Sequence, residues 1–158
     1  EVETKVNSFK IISTPGHTLD HIIYLDNHNK ILFCGDTLFR LGCGRVFEGT
    51  LNQMFESLQK INELDNNLKV YCGHEYTLNN LNFLESTLNN KELFSSIRQK
   101  IEDDIKLSKK SVPFCLAEEK KYNLFLNQES DIGSSIKREL GLENFGLFQH
   151  LREKKDNF

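Results

Sequence analysis

Three short segments of the chain repeat one form: "TPGHT" (14–18), "FCGDT" (33–37) and "YCGHE" (71–75). Each runs from a strand-like stretch through glycine to a ligand-type side chain, namely His17, Asp36 and His74. Glycine lets the chain turn sharply where a strand ends, so the next residue projects from the sheet edge. If the three strands are neighbours, their three heads converge at one edge. That demand constrains the fold more than any bulk property does. Imidazole and carboxylate are the usual ligands of zinc, iron and manganese. A carboxylate has two oxygens, so Asp36 is able to bridge two ions. Taken singly, a histidine after a turn is an ordinary surface or capping residue, and Asp in "GDT" an ordinary turn residue. The repetition is what points to ligation.

The surrounding pattern predicts the strands. "FKIIST" (9–14) reads as one strand, and "HIIYLD" and "KILFCGD" read as a hairpin about the polar turn "NHN". "TLNQMFESLQKINELD" follows, with Leu51, Met54, Phe55, Leu58, Ile61 and Leu64 on one helix face and Thr50 as the N-cap. "LKVYCG" returns as a buried strand. Strand, helix, strand with apolar strands argues for an α/β layer whose sheet is covered by helices on at least one side. After residue 76 the spacing turns helical, through "LNNLNFLESTLNN", "LFSSIRQKIEDDIKLSKK" and three shorter segments, with Pro113 breaking the run. The expected division is an α/β portion over 1–90 and a helical portion over 91–158.

Bulk properties exclude several classes. The chain has 158 residues, a net charge of -3 and interspersed signs, which gives no basic stripe for nucleic acid. No apolar run approaches the ~18–20 residues that span a bilayer, so no membrane partner is expected. The start, "EVETKVNSF", has neither a signal-peptide nor a transit-peptide pattern, and the chain does not begin with Met. The four cysteines, Cys34, Cys43, Cys72 and Cys115, form no CxxC pair. Cys34 and Cys72 sit in apolar runs, where a thiol acts as a small hydrophobe. A reduced, cytoplasmic setting fits them better than a disulfide scaffold.

Two further clusters carry charge. "GCGRVFEGT" (42–50) is a glycine-rich loop that can approach a ligand closely, and Arg45 in it offers a forked cation. In "LREKKDNF" (151–158), Arg152 and Lys155 are three apart and share a helix face. On their own they read as a solvated basic face at a helix C-terminus, where the macrodipole favours cations. Of the other histidines, His28 falls in a polar turn, His150 on an exposed helix face, and His21 in a packing role behind a ligand.

These segments, in order along nearly the whole chain, resemble those of glyoxalase II, the hydroxyacylglutathione hydrolase of the metallo-β-lactamase superfamily. "TPGHT", "FCGDTLF" and "YCGHEYT" are similar to the wider superfamily. "GCGRVFEGT", "LAEEKKYN" and "LREKKDNF" are similar to glyoxalase II itself. The resemblance implies the C-terminal half of an αββα sandwich followed by a small helical glutathione-binding domain. It implies two zinc ions, with iron or manganese also accepted. His17 would bind one metal, His74 the other, and Asp36 would bridge them. It implies hydrolysis of the thioester S-D-lactoylglutathione to D-lactate and glutathione by a metal-bound hydroxide, a detoxification of methylglyoxal. Arg45, Tyr76, Arg152 and Lys155 would contact glutathione. Phe47 stands where some relatives carry a substrate-binding tyrosine, Asp20 and "NLFL" (123–126) also depart from the common pattern.

The family's first motif, H-x-H-x-D-H, is absent, and no two histidines here are two apart. That motif supplies three histidines and an aspartate and is expected before residue 1. With Asp36 shared, each metal would keep two protein ligands, whereas a catalytic zinc normally has three. The sheet would also expose an apolar face. The expectation is an incomplete site, inactive in this chain alone. Three readings stay open: part of a working hydrolase whose first half lies elsewhere or in a separate chain, an inactive remnant, or a glutathione-binding module without chemistry.

Overall fold

A computed structural model describes residues 2–3, 8–88 and 91–158. The expected division at residue 90 falls outside them, as do residues 1 and 4–7 of the opening segment. Strands are β1 (Val2–Glu3), β2 (Ser8–Ser13), β3 (Ile22–Asp26), β4 (Ile31–Gly35), β5 (Leu38–Phe39), β6 (Gly42–Cys43), β7 (Lys69–Cys72) and β8 (Phe114–Cys115). Helices are α1 (Leu51–Asn62), α2 (Thr77–Thr87), α3 (Ser95–Ser108), α4 (Leu116–Tyr122), α5 (Asp131–Leu140) and α6 (Asn144–Asp156).

Six strands form one sheet in the order β1-β2-β3-β4-β7-β8. The hairpin read about "NHN" is β3 and β4, antiparallel, with Tyr24 opposite Phe33 and Asp26 opposite Ile31. β4 and β7 run parallel, so the chain between them must cross over, and α1 makes that return. α1 starts at the expected cap. The Thr50 hydroxyl accepts the Gln53 N–H at 3.2 Å, and the Gln53 side chain accepts the Thr50 N–H at 2.9 Å. This capping box satisfies two donors left open by the first turn.

β8 was not legible in the helical pattern after residue 76. It is two residues long and pairs with β7 through Val70 and Phe114, so the helical portion supplies an edge strand to the sheet. One contiguous core joins both portions. It unites Ile23, Leu25, Leu32, Cys34 and Val70 of the sheet with Met54, Leu58 and Ile61 of α1. Phe83, Ile101, Phe148 and Leu151 of the later helices belong to it too. Each such side chain contributes roughly 1.5–3 kcal/mol on burial.

The opposite face of the sheet is different. Ile11, Tyr24, Phe33 and Tyr71 lie side by side across β2, β3, β4 and β7. Ile11 is 36%, Tyr24 39% and Phe33 40% exposed. Phe9 packs edge-on against Tyr24 and Phe33. A row of aromatic rings in register is the face of a sheet made to be covered, as the sequence reading anticipates.

Candidate active-site cleft

The three glycine-terminated segments end at one edge of the sheet. A 2.9 Å bond from the Gly73 N–H to the Gly35 carbonyl ties the ends of β4 and β7 together. His17 Nε2 and His74 Nε2 each lie 3.4 Å from Asp36 Oδ2. The approach depends on glycine. A Cβ at Gly73 would stand 2.2 Å from Asp36 Oδ1, and one at Gly44 would stand 1.9 Å from the Asp36 carbonyl oxygen.

The orientation of the histidine nitrogens follows from their partners. His17 Nδ1 lies 2.8 Å from the Arg45 carbonyl. A carbonyl only accepts, so Nδ1 carries the proton and the Nε2 lone pair is turned to Asp36. His21 backs the cluster as expected. The Asp36 N–H donates to His21 Nε2 at 3.2 Å, which fixes that nitrogen as the acceptor. His21 Nδ1–H then faces the buried hydroxyls of Thr14 at 3.1 Å and Thr37 at 3.0 Å. Burial, followed by the neighbouring His17, pushes the His21 imidazole below its ordinary value. Accepting the Asp36 N–H requires the neutral ring. His150 sits half-buried on α6 rather than on an open face.

The donor set of one carboxylate between two imidazoles suits a metal in kind. Among the described residues, no three His, Cys, Asp or Glu side chains are arranged around a single ion. The geometry is two pairs sharing Asp36, so these residues fit a metal pair as part of its ligand set.

The cluster forms one end of a cleft of about 670 Å³. The seven candidate metal and glutathione residues of the sequence all line it: His17, Asp36, Arg45, His74, Tyr76, Arg152 and Lys155. Tyr76 stacks on His74, with ring centroids 5.0 Å apart and planes at 17°. Arg45 is the open cation, its side chain 53% exposed. Arg152 is not a surface charge. Its side chain is 5% exposed, Nη1 donates to the Cys43 carbonyl at 3.1 Å, and the guanidinium lies over the Phe125 ring at 5.6 Å. The Lys155 ammonium sits between the Phe83 and Phe158 rings, at 5.0 and 4.9 Å, and donates to the Asn79 side chain. Burial, helped by the Arg152 charge, pushes it down to about 8.

Residues 75–158 match the family model of the hydroxyacylglutathione hydrolase C-terminus, and residues 2–74 match that of the metallo-beta-lactamase superfamily. The chain belongs to the hydroxyacylglutathione hydrolase family. The hydroxyacylglutathione hydrolase of Pectobacterium atrosepticum is 45% identical over 154 residues, which is 96% of this chain and 61% of that protein. That of Rhodopseudomonas palustris is 40% identical over 150 residues, 95% of this chain and 59% of that protein. The chain thus spans about six tenths of the length of the curated relatives it matches. Among solved structures, ETHE1 from Myxococcus xanthus matches 99% of this chain and 57% of its own, at 24% identity and a TM-score of 0.55. A metallo-beta-lactamase from Staphylococcus aureus matches 96% of this chain and 40% of its own, at 19% identity and the same TM-score. These two show the shared α/β fold.

In this member of the hydroxyacylglutathione hydrolase family, sequence reasoning missed three residues that shape the cleft. Glu119 of α4 and Asn123, which caps that helix, are fully buried. Glu119 accepts the Leu41 N–H at 2.8 Å, and Asn123 Nδ2 donates to the Gly42 carbonyl at 3.0 Å. Together they hold the β5–β6 hairpin, whose Phe39 and Cys43 line the cleft. Asp156 is the third. Its Oδ1 lies 3.2 Å from Arg45 Nε and 2.9 Å from Arg152 Nη2. The only sequence signal was the fit of "LAEEKKYN" and "LREKKDNF" to the family.

Proposed function

We propose that this chain carries the thiol-ester cleft of a glyoxalase II, acting on S-D-lactoylglutathione to release D-lactate and glutathione. One observation carries the reading: a single cleft joins the His17–Asp36–His74 cluster to a wall of three cations. An acylated, anionic tripeptide has the matching two ends. Its thioester would meet the histidine end, and its peptide carboxylates would meet Arg45 and Lys155, with Arg152 held behind them. Tyr76, stacked on His74, would flank the sulfur between the two ends.

His17, Asp36 and His74 would hold two metals, zinc by the preference of imidazole and carboxylate ligands. When bound, the metal pair supplies a water-derived nucleophile near neutral pH and stabilises the developing oxyanion. The protein's own part is orientation. The Arg45 carbonyl keeps His17 Nε2 facing the site, and His21 holds the Asp36 backbone. The α/β portion through residue 90 would serve the metal end and lend Arg45 to the other, and the helical portion from 91 would bring Arg152 and Lys155 to the cation end. The remaining ligands belong to the part of the relatives outside the matched span, in the same polypeptide or a separate chain. The open aromatic face of the sheet is where that part would pack. Four free thiols support a cytoplasmic setting, and no helix among the described residues is long and apolar enough to cross a membrane.

A second reading has its own observation. Arg45, Arg152 and Lys155 line one cleft of this chain, while the metal end would offer two ligands per ion, so binding of glutathione is expected without turnover. Calorimetry with S-hexylglutathione and a hydrolysis assay with added zinc separate the two. We expect binding and no turnover by the chain alone. Turnover is expected once the missing part of the Pectobacterium atrosepticum relative is supplied. Failure to bind S-hexylglutathione sinks the glutathione assignment, and substantial turnover by the chain alone sinks the argument from the incomplete ligand set.

A further inference from the structure

The cation wall of the cleft contains one carboxylate of its own, and its position is costly unless it has a task. Asp156 is the last residue of α6, where the helix dipole is negative and an acid is disfavoured. It is nevertheless the point at which two guanidinium groups meet. Its Oδ1 accepts from Arg152 Nη2 at 2.9 Å and from Arg45 Nε at 3.2 Å. Its backbone carbonyl accepts from Arg45 Nη2 at 3.3 Å. Two cations brought this close repel each other without an anion between them. Arg152 is buried and anchored to the Cys43 carbonyl, so it cannot yield. Arg45 stands on the loop between β6 and α1 with half its side chain in solvent, so it is the one that would swing away.

We propose that Asp156 is a positioning residue for ligand recognition: by sharing one oxygen between buried Arg152 and exposed Arg45, it fixes Arg45 at the cleft wall. Arg45 Nη1 makes no bond to the described residues and remains for the ligand's carboxylate. Three cations against one carboxylate leave the wall positive, so the shared oxygen orders the site without neutralising it. The inference rests on the reading of the cleft as a glutathione site. The opposite role is also chemically open, with Asp156 as a stand-in anion that the ligand must displace. The two roles differ in the sign of one measurement.

The test uses the full chain with Asp156→Ala and Asp156→Asn, each checked by circular dichroism for an unchanged melting temperature. The first readout needs no ligand: the rate of trypsin cleavage after Arg45, followed by mass spectrometry against cleavage at other basic residues. We expect Asp156→Ala to speed cleavage after Arg45 about tenfold while other sites keep their rates, which a general loss of structure would not produce. The second readout is S-hexylglutathione affinity. It should fall about tenfold in Asp156→Ala, the worth of one charge-assisted hydrogen bond. It should fall about threefold in Asp156→Asn, which keeps an acceptor and loses the charge. If Asp156→Ala does not fold, Asp156→Asn alone decides by the same two readouts. Tighter binding in either variant, or unchanged cleavage after Arg45, overturns the proposal. If the unaltered chain does not bind S-hexylglutathione, the glutathione reading fails by itself, and the cleavage rates still decide the role of Asp156.

Discussion

The two ends of the cleft are built by different means. The metal end hangs on three turns that follow strands, and its side chains meet because glycines let backbones approach. The cation end is assembled from α6, the β6–α1 loop and the rings of Phe83, Phe125 and Phe158, and Asp156 ties Arg45 to Arg152 within it. His17 and His74 meet on one oxygen of Asp36, while Arg152 is held by the Cys43 carbonyl and Lys155 by the Asn79 side chain. The difference suggests that recognition is local to this chain and chemistry is not. The largest expected effect tests that division. In the enzyme completed with the missing part of a relative, Asp36→Ala should reduce hydrolysis to background, because both ions lose a ligand. Calorimetry on the same variant should find S-hexylglutathione bound within about twofold of the unaltered affinity. A large loss of binding there would mean that the two ends are not separable.

Between the ends lies the β5–β6 hairpin, gripped from the helical portion by Glu119 and Asn123. Burial, opposed by the Leu41 N–H and Asn123, raises the Glu119 carboxyl from 4.5 to about 7. The folded state therefore holds a proton that the unfolded state has released. This contribution is fully present below pH 4.5 and is lost as pH rises through about 7. The shift corresponds to about 3 kcal/mol. Asp26 and Asp65, whose carboxyls are held low by hydrogen bonds from Asn29 and Lys30, act in the opposite sense at acid pH. The useful quantity is then a difference. Denaturant unfolding at pH 5 and pH 8 should show Glu119→Gln gaining on the unaltered chain by about 3 kcal/mol at the higher pH. An equal pH dependence in both would mean that Glu119 ionises normally in the folded state.

The same contrast explains what could be read from the sequence. The meeting of His17, Asp36 and His74 was legible because its signal is local: strand, glycine and polar head fall within five consecutive residues, three times. The α1 cap and the β3–β4 hairpin were legible for the same reason. At the cation end Arg45, Arg152 and Lys155 were named through the family resemblance, but the contacts that hold them were not legible, because their logic is long-range. Glu119 meets a backbone N–H 78 residues away, and no periodicity marks a backbone partner. Arg152 sits in a run of charges that any helix-face argument sends to solvent, yet its fork is buried on Cys43. β8 escaped because two residues after Pro113 are too few to show alternation. His21 was read as a backing residue at the start of a strand, where a ring N–H could orient a ligand.

His21 also sets the next effect in size. Both of its nitrogens are occupied by the frame of the site, one by the Asp36 N–H and one by the threonine hydroxyls. Removing such a support typically costs 10–100-fold in metal affinity. In the completed enzyme, His21→Ala should weaken zinc binding by that factor, measured by competition with a chelator, and leave S-hexylglutathione affinity unchanged. An unchanged zinc affinity would remove His21 from the metal end.

The smallest effect sharpens the other end. The Lys155 ammonium, lowered to about 8 by burial and by Arg152, loses its charge as pH rises past that value. The neutral amine attracts a carboxylate far less. S-hexylglutathione affinity should therefore fall a few-fold between pH 7 and pH 9.5. Binding near pH 8 should also take up protons, because an incoming carboxylate favours the charged amine. Calorimetry in buffers of different ionisation enthalpy measures that uptake. Lys155→Arg keeps its charge throughout the range. It should bind with a flatter pH profile and less proton uptake, while the amine of the peptide titrates alike with both proteins. If the two profiles coincide, the cleft recognises its anion through Arg45 alone, and Lys155 serves the packing of Phe83 against Phe158.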